Sequence, residues 1–313
     1  MSTYVVKRVL LAVPTVLGAL TLVFFALHLM PGDPARIMLG EWVTPEALEN
    51  LRHRLGLDRP LYEQYLLFLR QYLTGDFGRS LTTERLIVGE ILQRMPHTLI
   101  LAVAAMSLAV AVGLPVGVLA AVYQRRLWDR LIMAFALVGF ATPGFWLGIL
   151  LILVFSVKLQ WLPAVGSPGF DDPGSVLRHL LMPAVALAAR PMALIARLTR
   201  STMLGVIRED YVRTARAKGL SERVVLYRHA LRNAMVSVVT IIGLNFGALL
   251  GGTVLIETVF ARPGLGKLTV DSILARDFPT VQATTFLVAV VFVVINLLTD
   301  LVYAFIDPRV KYQ

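Results

Sequence analysis

A chain of 313 residues that is 57% hydrophobic and only 16% charged, with mean hydropathy +0.72, exceeds the roughly 45–50% apolar content of soluble domains and reads as an integral membrane protein. The absence of cysteine excludes disulfides, iron–sulfur clusters and thiolate metal sites within it. Its formal charge of +10 raises nucleic acid as a partner, a reading that the placement of the charge removes below.

Six apolar runs, at residues 9–30, 98–123, 131–157, 180–200, 234–260 and 281–306, approach or exceed the about 20 residues a helix needs to cross a bilayer, and all are far longer than the ~10 of a barrel strand. The predicted fold class is all-α, polytopic, with six transmembrane helices in one membrane unit over 1–313. The first run follows Lys7 and Arg8 and, at 22 residues, outlasts the roughly 7–15 of a signal-peptide core, so it is expected to remain as an anchor.

A 67-residue segment, 31–97, then separates the first two spans and is too long for a bare connection. Thr44 is placed to cap a helix with Pro45 at its first position, running through Leu48, Leu51 and Leu55 to a stop at Gly56. A second amphipathic stretch carries Leu61, Tyr65, Phe68, Leu69 and Tyr72 before a turn at 75–78, and its aromatic residues are expected at the headgroup level.

Within the later spans, Gly113 and Gly117, Gly144 and Gly148, and Gly243, Gly247 and Gly251 recur at four-residue spacing, which lets helix backbones approach closely. Pro115, Pro143, Pro183 and Pro191 predict kinks. Arg190, just before Pro191, faces either a hydrated passage or the carbonyls that the proline frees. Asn245, between Gly243 and Gly247, is either a packing amide or a passage residue. Asp300 lies near a helix end, within reach of interfacial water.

Between the fourth and fifth spans, residues 201–233 hold the reading YVRTARAKGLSERVVLYRHALR at 211–232. Leu204, Ile207, Tyr211, Ala215 and Lys218 share one helical face, Gly219 supplies a left-handed stop, and Leu220, Val224, Tyr227 and Leu231 resume an apolar stripe. Two amphipathic limbs meeting at an elbow suggest a surface made for a partner, beside the simpler reading of a basic helix resting on lipid headgroups.

The charge sorts by side. Segments 1–8, 124–130, 201–233 and 307–313, with Arg197 and Arg200, hold 16 Lys/Arg against 5 Asp/Glu, whereas 31–97, 158–179 and 257–280 hold 13 against 14. By the positive-inside rule the basic set, both termini included, is cytoplasmic, and its partner is anionic lipid rather than nucleic acid. The five histidines lie scattered without metal-ligand spacing, and no catalytic constellation is present, so neither a metal site nor an enzyme is expected. An ion-coupled secondary transporter stands as the alternative, without an internal repeat or a central carboxylate cluster in its favour.

The fragments PGDPARIMLGE at 31–41, LGLDRPLYEQY at 55–65, GDFGRS at 75–80, FGALLGGTVLIETVFARPGLGKL at 246–268 and RDFPTVQ at 276–282, in this order and spacing, resemble the first permease of the dipeptide, oligopeptide and nickel group of ATP-binding-cassette importers. In the cytoplasmic signature of that family, Gly219, Ala215 and Leu231 match the glycine, an alanine and the leucine. Arg213, Thr214, His229 and Arg232 replace other consensus residues. The resemblance implies the type I importer permease fold in a bacterial or archaeal inner membrane. It implies a homologous second permease, one or two cytoplasmic ATPase subunits and an extracytoplasmic solute-binding protein, with di- or oligopeptides as cargo. It also implies that the loop with Tyr211, Arg213, Thr214, Ala215, Lys218, Gly219, Leu220 and Leu231 docks on the ATPase. ATP and magnesium are then expected in the partners, since the chain has no GxxxxGK[ST]; its nearest imitation, PGLGKLT at 263–269, reads as a turn.

Overall fold

The computed structural model describes residues 2–29, 33, 35–36, 44–169 and 172–306. Most of the fragment at 31–41, and the basic tail 307–313, lie outside them. The described residues are helical almost throughout, with one isolated β-bridge between Arg79 and Leu86.

Helix α1 (Ser2–His28) buries, among its described side chains, only Leu20 and Phe24 deeply. In the segment that follows, α2 (Pro45–Leu55) begins where the Thr44 hydroxyl accepts the Ala47 N–H at 3.3 Å and ends at Gly56 with φ +67°. Helix α3 (Leu61–Thr74) ends likewise at Gly75, φ +76°. The aromatics of α3 pack largely into the bundle. Phe68 and Tyr72 are buried against Phe24, Phe77 and Phe286, Tyr65 meets Thr21 at 2.7 Å, and Gln64 meets His28 at 3.0 Å. Aromatic edges and faces attract one another in such clusters, so this segment clamps α1 to the bundle.

Helix α4 (Ile87–Val122) starts well before the predicted span at 98 and, at 36 residues, reaches beyond a bilayer. The predicted third span, 131–157, is two helices, α5 (Leu127–Ala141) and α6 (Gly144–Leu151), the latter widening into π-type turns over Ile152–Lys158. They meet at 102°. Pro143 offers no N–H and drives the residue before it out of helical space, and Thr142 is accordingly extended at φ −77°, ψ 125°. Helix α7 (Pro173–Val206) carries Pro183 and Pro191 inside. After the short α8 (Asp210–Ala217), a single helix α9 runs over Glu222–Val259, so the basic limb of the elbow and the predicted span from 234 are one element. Its stretch Val225–Leu231 is π-wound. Helices α10 (Leu265–Leu274) and α11 (Phe278–Ile306) complete the chain. Among the described residues, five helices are long and apolar enough to span, six with the bent pair counted as one.

Helix α7 is the centre: 61% of its most apolar window is buried, against 17–33% in the other spanning helices. Leu101, Ala105 and Ala109 of α4, Leu187 and Ile195 of α7, and Val238 and Ile256 of α9 share the main core. Lipid provides no hydrophobic drive between helices, so contact depends on close backbone approach. A Cβ on Gly117 would sit 2.5 Å from the Ala196 carbonyl oxygen, and one on Gly113 2.7 Å from that of Met192. Gly148 and Gly247 likewise face Phe260 and Phe292, whereas Gly251 faces open space and packs against nothing.

Candidate coupling loop and passage

At the end of the bundle that carries the excess of basic residues, α7 stops at Val206 and a turn over 207–209 intervenes before α8. Leu204, Ile207 and Tyr211 therefore do not share one continuous helix as the spacing suggested. Gly219 closes α8 with φ +79°, its N–H bonded to the Arg216 carbonyl at 2.9 Å and that of Leu220 to Ala215 at 3.4 Å. This is the left-handed stop that favours glycine. Ser221 then starts α9, and Arg216 pairs with Glu222 at 2.8 Å across the turn.

The loop has a small core of its own, Val212, Ala215 and Val225 against Val206. Of the residues singled out from sequence, Ala215 belongs to that core and Leu231 packs against the neighbouring cluster that includes Val118 and Met203. Tyr211, Arg213, Thr214, Lys218, Gly219 and Leu220 are exposed. The apolar stripe that the sequence offered as a limb face is left uncovered within this chain: Tyr211 and Leu220 are each 41% exposed, and Tyr227 58%. Val212 and Val225, which hold the loop together, escaped the sequence reading because they sit off that stripe. The neighbouring turn is fixed by Asp129, which accepts from Arg200 (Nη2 at 2.7 Å) and from the Arg125 N–H at 2.9 Å.

Arg190 and Asn245, 55 positions apart, line the same groove. It has a volume of about 620 Å³ and is walled by the α5–α6 break at 140–145, by α7, and by Leu249 and Ile256 of α9. Irregular backbone at membrane depth is tolerated where it lines a cavity, and the extended Thr142 lies on this wall. Arg190 bonds none of the carbonyls that Pro191 frees; its guanidinium lies 5.2 Å from the Phe140 ring centroid. The Asn245 side chain donates to the Ile241 carbonyl at 2.8 Å within its own helix.

At the opposite end, two carboxylates unnoticed in the sequence organise the loops. Glu257, fully buried, accepts from Thr98 at 2.6 Å and from the Lys267 N–H at 3.1 Å, while Thr98 in turn accepts the Leu265 N–H at 2.8 Å. The motif at 263–269 is thus the start of α10 folded over a buried acid. Arg262 is 1% exposed, and no nitrogen of its guanidinium has a hydrogen-bond partner among the described residues. Burial lowers its proton affinity, opposed by the charge of Glu257. Asp277 accepts from Ser80, from the Leu81 N–H at 3.2 Å and from Thr280 at 2.7 Å, tying the segment before α4 to the start of α11. The signal for both was an acid at the end of an apolar run.

A helical membrane bundle with a bent span, a central groove and an exposed elbow between two spans is the architecture of a permease. Residues 113–312 match the family described as binding-protein-dependent transport system inner membrane component, and residues 1–102 match its N-terminal counterpart. The chain belongs to this family: it is a multi-pass inner-membrane transport subunit of an ATP-driven importer, working with other permease and ATPase subunits, and neither an enzyme nor an ion-coupled carrier. It is similar to the dipeptide transport system permease protein DppB of Alkalihalophilus pseudofirmus, 41% identical over the whole of both chains. It is also similar to the glutathione transport system permease protein GsiC of Escherichia coli K12, 45% identical over the whole of both. In fold it resembles a chain of the inward-facing MetNI methionine ABC transporter, with a TM-score of 0.55 and 18% identity, over 69% of this chain and 96% of that one.

Proposed function

We propose that this permease imports di- or oligopeptides, pairs with a homologous second permease to enclose the groove at Arg190 and Asn245, and takes its drive through the loop around Gly219. The basic end, with both termini, faces the cytoplasm. One or two ATPase subunits dock there and hold ATP and magnesium, while a solute-binding protein delivers cargo at the opposite face. The observation that carries the reading is the uncovered apolar patch of Tyr211, Leu220, Val224 and Tyr227 around a turn whose own core is already filled. Apolar side chains clustered on a basic loop between spans mark a protein interface. The relatives named for dipeptide and glutathione systems support a peptide cargo.

Gly219 gives a clean test because nothing within 4 Å would meet a Cβ there. A larger side chain meets no atom of this chain but strains the backbone at φ +79°, and Gly219→Ala, which carries that strain alone, separates it from obstruction on the partner's side. Gly219→Asp is expected to insert normally into the membrane while losing ATPase co-purification and uptake together. Unchanged association with unchanged uptake would reject the docking role.

A further inference from the structure

We propose that Arg190 and Arg197 form a two-station relay for the carboxylate of the cargo, with the Phe140 ring as the resting place of both guanidiniums. This rests on the groove being half of the passage, as read above. Arg190 sits near the middle of α7 and Arg197 two turns further toward the basic end, about 10 Å along the axis. Both are exposed on the surface of the chain, and their guanidinium carbons lie 5.2 and 5.5 Å from one ring centroid.

Among the described residues neither has an acidic partner. Asp129, the acid one turn beyond Arg197 in the direction of the basic end, is committed to Arg200. Arg190, an uncompensated cation near the middle of a spanning helix, is not tolerated against lipid, so the face it shares with Arg197 around Phe140 is hydrated or covered by other protein. An arriving carboxylate relieves both the desolvation and the mutual repulsion. A charge-assisted, bidentate bond is far stronger than a ring contact, so the cargo displaces Phe140 from one arginine and the ring receives the guanidinium back on release. Conduction needs binding that is favourable but divided among sites, so that the ion leaves as well as arrives; two arginines two turns apart provide that division.

The chain has no cysteine, which makes the potential in the groove directly measurable. Leu194 lines the groove and lies one turn from each arginine. In the assembled importer reconstituted in proteoliposomes, Leu194→Cys is labelled with a sulfonate-bearing and with a trimethylammonium-bearing methanethiosulfonate, and the ratio of the two rates is taken. Focusing by two cations in a low-dielectric cleft predicts about a tenfold preference for the anionic reagent. Arg190→Gln and Arg197→Gln should each reduce the preference, Arg190→Lys should keep it, and dialanine should slow labelling more than its C-terminal amide does. A ratio near one with both arginines present, a ratio indifferent to Arg190→Gln, or a residue that never labels would each overturn the relay. If uptake remains ATP-driven in those cases, the importer reading stands without it; if dialanine is not carried at all, the peptide reading falls first and takes the relay with it.

Discussion

Gly117→Ala tests the packing that builds the centre of the bundle. The added methyl would lie 2.5 Å from the Ala196 carbonyl oxygen and 2.7 Å from the Thr199 Cβ, where ordinary contacts are about 3.5–4.0 Å, so α4 and α7 must part by roughly 1 Å. Overpacking of this kind costs about 1–3 kcal/mol, and the helix-propensity gain of alanine over glycine offsets at most about 1 kcal/mol of it. Gly251→Ala is the matched control: it carries the same propensity gain, and nothing lies within 4 Å of its Cβ. The two variants should therefore differ by about 2 kcal/mol, which for a chain of 313 residues corresponds to roughly 3 °C in apparent Tm. Thermal unfolding of the detergent-solubilised chain, followed by far-UV circular dichroism, reads the difference. Equal midpoints, or Gly117→Ala above Gly251→Ala, would refute the claim that glycines set the α4–α7 approach.

Three further outcomes are expected. Asp129→Asn removes the charge and one of the two acceptor oxygens from a pair in which the aspartate is 5% and the arginine 26% exposed. Because Arg200 stays partly wet, the loss should fall below the roughly 3–5 kcal/mol of a fully buried pair, near 2 kcal/mol, measured as a lowered apparent Tm. Asp277→Ala releases Ser80, Leu81 and Thr280 together, and trypsin should then cut at Arg79 and Arg85 several times faster, with unchanged susceptibility telling against that tie. Gly219→Ala meets only backbone strain at φ +79°, about 1–2 kcal/mol, so it should keep most ATPase association and uptake where Gly219→Asp loses both.

Hydropathy made the spans legible because burial in lipid demands about 20 apolar residues whatever the partners are. Punctuation was equally local: Thr44, Gly56, Gly75 and Gly219 act within a turn of themselves, and each takes the cap or left-handed conformation its chemistry favours. Pro143 announced a kink, but the size of the 102° bend did not show, because residues on both sides of Thr142 are apolar and hydropathy alone does not register a change of direction. The continuity of α9 escaped for the opposite reason: Arg223, Arg228 and Arg232 lower the hydropathy of a segment that stays helical. Long-range polar ties were illegible; Ser80 and Asp277 are 197 positions apart, and nothing local to either announces the other. The stripe of Leu220, Val224 and Tyr227 was visible as apolar, yet periodicity does not distinguish a face meant for the core of the chain from one meant for another protein.

That last distinction is the central claim, and a single cysteine measures it. Leu220→Cys in an otherwise cysteine-free chain should react readily with a maleimide when the permease is purified alone, become protected when the ATPase subunits are bound, and cross-link to one of them. Reaction at the same rate with and without those subunits, and no cross-linked product, would contradict it.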